Sequence, residues 1–310
     1  MTAIKVIKEK RMSKLSLIPL LCILLLPLML YFSDALKQGA LVGIKLSLGN
    51  IIPTLFPFFI LSDLWTCHIE IKKDSLVGKM YERIFNLNRS TLPAYILGTV
   101  CGFPLGVRYA TRQYEAGGIT KVELEHLSSF ANNPSAAFVI SGIGAGLYND
   151  IWVGVRLYSA VVLSSALVGI VFRAKEDFLY NYDVISRQSF SLVNSIKSAG
   201  ASSLTVSCYI IFFSSIISAL TEIIKSPLIL TLTATFLEIT NAGSLAAALA
   251  TVPTPIKCVI TAFALGFSGF SVHMQAFSIL PREISKIKYL TMKLLQGVLC
   301  AVIMYVITLI

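Results

Sequence analysis

Charge is scarce in this sequence. Only 14% of its 310 residues are Asp, Glu, Lys or Arg, whereas soluble domains carry about 25%. A soluble globule needs a wettable surface. A chain that is 55% hydrophobic, with mean hydropathy +0.78, has little material for one. Histidine is rarer still: His68, His126 and His273 stand in separate regions, which argues against a histidine-built metal centre or catalytic set. The six cysteines, Cys22, Cys67, Cys101, Cys208, Cys258 and Cys300, include no C-x-x-C pair. Most lie in apolar runs, and they read as small buried hydrophobes rather than as metal ligands. No G-x-S-x-G, H-E-x-x-H or P-loop string occurs. The reading is therefore a protein that is not an enzyme, with no resident cofactor or metal.

What the chain has is long apolar runs. A membrane-spanning helix needs about 20 apolar residues, so there is room for about eight crossings with short loops. The net charge of +10 sits in a few loops, which fits topology marking in a bilayer better than nucleic-acid binding. Lys5, Lys8, Lys10, Arg11 and Lys14 precede the apolar run from Leu15 to Phe32. That pattern predicts a retained first transmembrane helix within residues 1–35, its basic end in the cytoplasm.

Beyond it the apolar segments are interrupted. A second segment, Leu36 to Trp65, contains Pro53 and Pro57, and proline within an apolar run kinks or breaks a helix. A basic loop follows at residues 70–90. Residues 91–118 are centred on Cys101-Gly102-Phe103-Pro104-Leu105-Gly106, with half-length helices on either side too short to cross about 30 Å; a re-entrant hairpin fits. Thr120-Lys-Val-Glu123 is a capping box. The helix it opens breaks at Asn132-Asn133-Pro134 and resumes to Leu147. A span from Ile151 to Phe172 has Arg156 near its start, where a snorkelling role is favoured. A mixed-charge loop, Arg173 to Arg187, is assigned to the cytoplasmic side.

The second half repeats this order. Ser191 to Glu222 is a span. Residues 226–251 form a hairpin with a polar centre, Glu238 to Gly243. Residues 255–280 form a span broken at Gly266-Phe-Ser-Gly269. A basic loop then leads into a last span, Leu290 to Ile310. The hairpin centres Pro104 and Thr240 are 136 positions apart, and so are the breaks Asn133 and Gly269. Counting crossings from a cytoplasmic N-terminus reverses every sense in the second half. The fold class predicted is thus an all-α polytopic membrane protein with an inverted-topology repeat: repeat 1 over 36–173, with hairpin 91–118 and broken helix 120–147; repeat 2 over 174–310, with hairpin 226–251 and broken helix 255–280. Such repeats point to a binding site at the bilayer midplane and to alternating access, because broken backbone survives at that depth only beside protein or a water-filled cavity.

The candidate site residues follow from the breaks. Glu238 is the one acidic residue deep in an apolar segment and is a functional candidate on that ground; a structural hydrogen bond to the opposite hairpin is the alternative. Arg108, just past the first turn, could fork onto a carboxylate or snorkel. Gly102, Phe103 and Pro104 shape the first turn. Asn132, Asn133, Thr240, Asn241, Ser268, Gly269 and Ser271 offer backbone turns and neutral hydrogen bonds, and half-helix N-termini add positive potential. His273 and Gln275 follow the second break; His273 is either a pH reporter or a structural histidine.

The strings Phe56-Pro57-Phe58-Phe59, Gly102-Phe103-Pro104-Leu105-Gly106, Gly118 to Glu123, Phe130 to Pro134, Leu237-Glu238-Ile239-Thr240-Asn241 and Gly266 to Gln275 resemble the YlbJ family of sporulation integral membrane proteins, also called SpoVV, which carry nucleoside-recognition gate domains. The resemblance covers residues 40–310. It implies an architecture similar to concentrative nucleoside transporters, and transport of dipicolinic acid across the outer forespore membrane during spore formation. Where the family has a lysine-like cation after the Gly-Pro turn, this chain has Arg108. The partners expected are the lipid bilayer and a small dipicolinate-like anion, with no nucleic acid and an oligomer possible; the coupling ion, a proton or sodium, stays open. A nucleoside or other small-metabolite transporter of the same fold is the second reading, and a non-transporting sporulation scaffold or sensor the third.

Overall fold

The structure is a computed structural model that describes residues 17–68, 75–173 and 191–310. Among these residues every regular element is helical. Four helices are long and apolar enough to cross a bilayer: Ile151–Val171, Leu192–Ile223, Thr254–Ile279 and Lys286–Leu309. A bent pair, Ser33–Gly49 with Ile52–Leu64, meets at 48° and makes a fifth. The chain is an all-α polytopic membrane protein. The composition left room for about eight full crossings; the breaks divide several apolar segments into helices too short to count.

In chain order, α1 (Leu17–Tyr31) and α2 (Ser33–Leu46) are separated only at Phe32. A π-helical turn, Ser47–Ile51, joins α2 to α3 (Ile52–His68). The bend falls there because Pro53 has no N–H to continue the helical ladder, and the Ile52 amide reaches back to Ser47 O instead. The basic N-terminal residues 1–16, the start of the expected basic loop at 69–74 and the mixed-charge loop within 174–190 lie outside the described residues.

Residues 76–85, expected within a loop, are a helix, α4 (Leu76–Phe85). Ser75 caps it through its hydroxyl, which accepts from Gly78 N at 3.3 Å. Asn86 ends it in the left-handed region at φ 51°. Of the charged residues that suggested a loop, Arg89 is used locally: it donates to both carboxylate oxygens of Glu82, at 2.6 and 2.7 Å.

The next elements are α5 (Leu92–Val100) and α6 (Leu105–Glu115), packed together about a turn at 101–104. Then come α7 (Lys121–Phe130), a non-helical break at 131–135, a π-helical stretch (Phe138–Ala145) and α8 (Ile151–Val171). The Thr120–Glu123 capping box is present: Glu123 N donates to Thr120 Oγ1 at 3.1 Å, and Thr120 N to Glu123 Oε2 at 2.8 Å. Past the gap come α9 (Leu192–Ile223), a second packed pair α10 (Pro227–Leu237) and α11 (Ile239–Ala248), a second broken helix α12 (Thr254–Phe267) and α13 (Gly269–Ile279), and α14 (Lys286–Leu309). The order of packed pair, broken helix and long helix therefore occurs twice. Lys286 and Lys288, expected in a loop, start α14, which Ser285 caps.

Small residues set the closest approaches, as expected where lipid supplies no hydrophobic drive between helices. Gly39 and Gly43 of α2 face Ser214, Ser215, Ser218 and Ile211 of α9. Gly266 of α12 faces Gly297 and Cys300 of α14. Outward faces are apolar: Leu294, Val298, Val302 and Val306 of α14 are exposed, while Lys293, Gln296, Gly297 and Cys300 are buried. Of the cysteines, Cys101, Cys258 and Cys300 are buried as expected, but Cys208 is exposed. It sits on an outward face of α9, where a small apolar thiol suits lipid as well as it suits a core. The side chains of Cys22 and Cys67 lie outside the described residues.

Candidate functional site

A small, partly open cleft lies among the interrupted elements. Each of the four stretches singled out in the sequence contributes to its wall. The first packed pair supplies Gly102 and Phe103, the first break Ser135, the second pair Glu238, Ile239 and Thr240, and the second broken helix Ser271, Val272 and Gln275. The wall is completed by Phe138, by Ile51, Thr54 and Leu55 beside the π-turn, and by Val206 and Ile210 of α9.

The backbone explains the convergence. Gly102 has φ 90°, a conformation open to glycine. It lets the turn close onto Ser135, where any Cβ on Gly102 would collide. The turn is tied to the break: Phe103 N donates to Asn133 O at 2.8 Å, and Asn133 N to Gly98 O at 3.3 Å. Pro104 is buried at the start of α6 and does not line the cleft. At the second break, Ser268 and Gly269 both have positive φ, 75° and 68°. Gly269 packs on the backbone of Leu237 and Glu238. Each broken helix thus braces the tip of one packed pair.

Glu238 combines two roles. It is 2% exposed and forms part of the cleft wall. It is also the N-cap of α11: its carboxylate accepts from Thr240 N at 3.0 Å and from Asn241 N at 2.8 Å. Asn241 Nδ2 adds a 2.7 Å bond to the same carboxylate and donates to Ser214 of α9 at 2.8 Å. The expected alternative, a bond to the opposite hairpin, is not what holds it; the partners are on its own helix. Thr240 lines the cleft, and Asn241 stands behind Glu238.

Two groups in the wall are polar, buried and without a hydrogen-bond partner among the described residues: Ser271 Oγ and Gln275 Oε1, on residues 1% and 3% exposed. Buried polar atoms are almost always bonded. Unpartnered ones in a cleft wall are suited to receive a polar ligand.

Other candidates lie elsewhere. Arg108 is half-buried and donates to Ser198 and to Ser202 (2.9 Å for the latter) on α9; it is not in the cleft wall. Ser268 is fully buried, its hydroxyl turned back to Leu265 O at 3.2 Å. The His273 ring is fully buried and perpendicular to Phe267, Phe270 and Tyr289, at 4.7, 6.0 and 5.5 Å. Arg156 is exposed near the start of α8.

Asn132 and Asn133 turn away from the cleft into a buried network that the sequence reading missed. Asn132 Nδ2 donates to Tyr289 OH at 2.7 Å. Asn133 Nδ2 donates to Phe130 O and Ser165 Oγ at 2.8 and 3.1 Å, and its Oδ1 accepts from Gln296 Nε2 at 2.7 Å. Lys293 Nζ donates to Asn132 O at 2.9 Å and to Gln296 Oε1 at 2.7 Å. Lys293 and Gln296 are fully buried. The missed signal was their spacing: Tyr289, Lys293, Gln296 and Cys300 fall on one helical face of an otherwise apolar span.

No family model matches the chain, and no solved structure matches it. A curated relative does: the chain is 26% identical over 308 aligned residues to the sporulation integral membrane protein YlbJ of Bacillus subtilis (strain 168), an alignment covering 86% of this chain and 76% of that protein. The likeness runs over most of this chain and is to a protein named as an integral membrane protein of sporulation.

Proposed function

We propose that this YlbJ-like chain is a carrier that moves a small polar metabolite across a membrane of the sporulating cell. The observation behind the reading is the cleft. Four interrupted stretches, far apart in sequence, meet around it, and two of its buried polar atoms have no partner among the described residues. A scaffold has no evident use for either feature. The twofold order of elements supports an inverted repeat, with the packed pairs as re-entrant hairpins and alternate exposure of the cleft to the two sides. The cytoplasmic N-terminus and outer forespore membrane belong to this proposal, and no catalytic role is part of it.

Dipicolinate is the substrate that the family resemblance implies. A nucleoside is the second reading, and one observation favours it: the cleft wall has hydroxyls, an amide and the Glu238 carboxylate but no cationic side chain. A neutral ring with several hydrogen-bonding edges fits such a wall. A dianion would need an accompanying proton or cation beside Glu238. Uptake of labelled dipicolinate into proteoliposomes holding the purified chain, with unlabelled nucleosides as competitors, separates the two. Saturable uptake resistant to nucleosides supports dipicolinate. Nucleoside uptake without dipicolinate uptake supports the second reading. No saturable uptake of either under any ion gradient overturns the carrier proposal.

A further inference from the structure

Lys293 is a fully buried lysine in the middle of the network at the first break. Among the described residues it has no carboxylate partner; its ammonium donates to Asn132 O at 2.9 Å and to Gln296 Oε1 at 2.7 Å. A buried charge without a counter-ion is costly, so this arrangement requires a local reason.

The surroundings supply one. The break lies just past the C-terminal end of α7, where helical carbonyls carry negative potential. Asn132 O is freed from the helical ladder and is satisfied by the ammonium. On the same residue, Asn132 Oδ1 is buried and has no hydrogen-bond partner among the described residues. A carbonyl oxygen freed at an unwound helix is the kind of ligand that transporters use for a mobile sodium ion. Here the protein's own chain brings a cation to that place.

We infer that the first break is a monovalent-cation site permanently occupied by the Lys293 ammonium. The lysine acts as a tethered counter-ion that holds the broken helix against α14, so this site needs no dissolved sodium or potassium. The inference rests on the carrier reading only for its relevance to transport. The occupancy of the site is a property of the folded chain and is tested on it.

Thermal unfolding of the purified full chain is measured in detergent at equal ionic strength in sodium, potassium or N-methylglucamine chloride. The wild-type midpoint is expected to be the same in all three. The Lys293→Ala variant is expected to unfold at lower temperature in N-methylglucamine and to regain about 2 °C or more with sodium or potassium at tenfold saturation. Lys293→Gln, which keeps a donor for Asn132 O, serves where the alanine variant does not fold; stability restored by either cation supports the inference equally. A wild-type midpoint that rises with sodium overturns it, as does a folded variant indifferent to cations. Failure of both variants to fold in every salt also counts against it, because a cation site should then have been rescued. Proteoliposome uptake is read separately: a chain with the expected unfolding pattern but no uptake keeps the site and loses the carrier reading.

Discussion

Gln296 Nε2 donates to Asn133 Oδ1 at 2.7 Å across 163 positions of sequence, and the same side chain accepts from Lys293 through Oε1. Both ends of one amide are therefore committed, and α14 is fixed to the first break. Replacing Gln296 by Ala leaves Asn133 Oδ1 without its donor and Lys293 without one acceptor, at a cost of about 2–3 kcal/mol. Asn133→Ala should cost a similar amount. The double variant should be less destabilised than the sum, with a coupling of about 1 kcal/mol or more, read from unfolding of the four proteins in detergent. Additive losses would show that the two residues act independently.

Gly98 and Gly106 pass one another where α5 meets α6, and both lie against Ala131 O at the break. A methyl at either position overlaps that carbonyl. Gly98→Ala and Gly106→Ala are each expected to destabilise by about 1–3 kcal/mol or to abolish folding. Gly200, inside α9, has open space around it. Gly200→Ala is expected to stabilise by about 0.5–1 kcal/mol through helix propensity. Thermal midpoints of the three variants decide the contrast.

Glu238 caps α11 and lines the cleft, and the two roles separate by choice of substitution. Glu238→Ala removes the cap at a cost of about 1–2 kcal/mol. Glu238→Gln keeps an acceptor for the α11 amides and should stay closer to wild type in unfolding. If the carboxylate serves the cargo, uptake falls about tenfold or more in both variants, a loss of about 1.4 kcal/mol or greater. Uptake by Glu238→Gln equal to wild type would reduce Glu238 to a cap.

The sequence disclosed the breaks because Gly, Pro and Asn are conspicuous in apolar runs. Gly102, Ser135, Glu238 and Ser271, marked by that signal or adjoining it, do meet in one cleft. Within the apolar segments two kinds of feature were not legible. Direction was one: Asn132 and Asn133 sit at a break but face α14, and Arg108 sits near the turn but reaches α9. Position along the chain does not reveal which neighbour a side chain meets. The other was Lys293, whose span looked like a plain membrane helix because one lysine and one glutamine barely alter its mean hydropathy. Helix α4 was hidden for the opposite reason: its charges suggested a loop, whereas its Glu82 is paired with Arg89 just beyond the helix.

Ser271 Oγ and Gln275 Oε1 give the central claim its most direct measurement. Their buried atoms have no partner among the described residues, so a variant carrying Ser271→Ala and Gln275→Leu removes a desolvation cost from the empty protein. In a carrier whose cargo bonds to them, that variant should unfold at or above the wild-type temperature while its saturable proteoliposome uptake falls about tenfold or more. A variant as stable as wild type that transports equally well would contradict the account and place the cargo elsewhere.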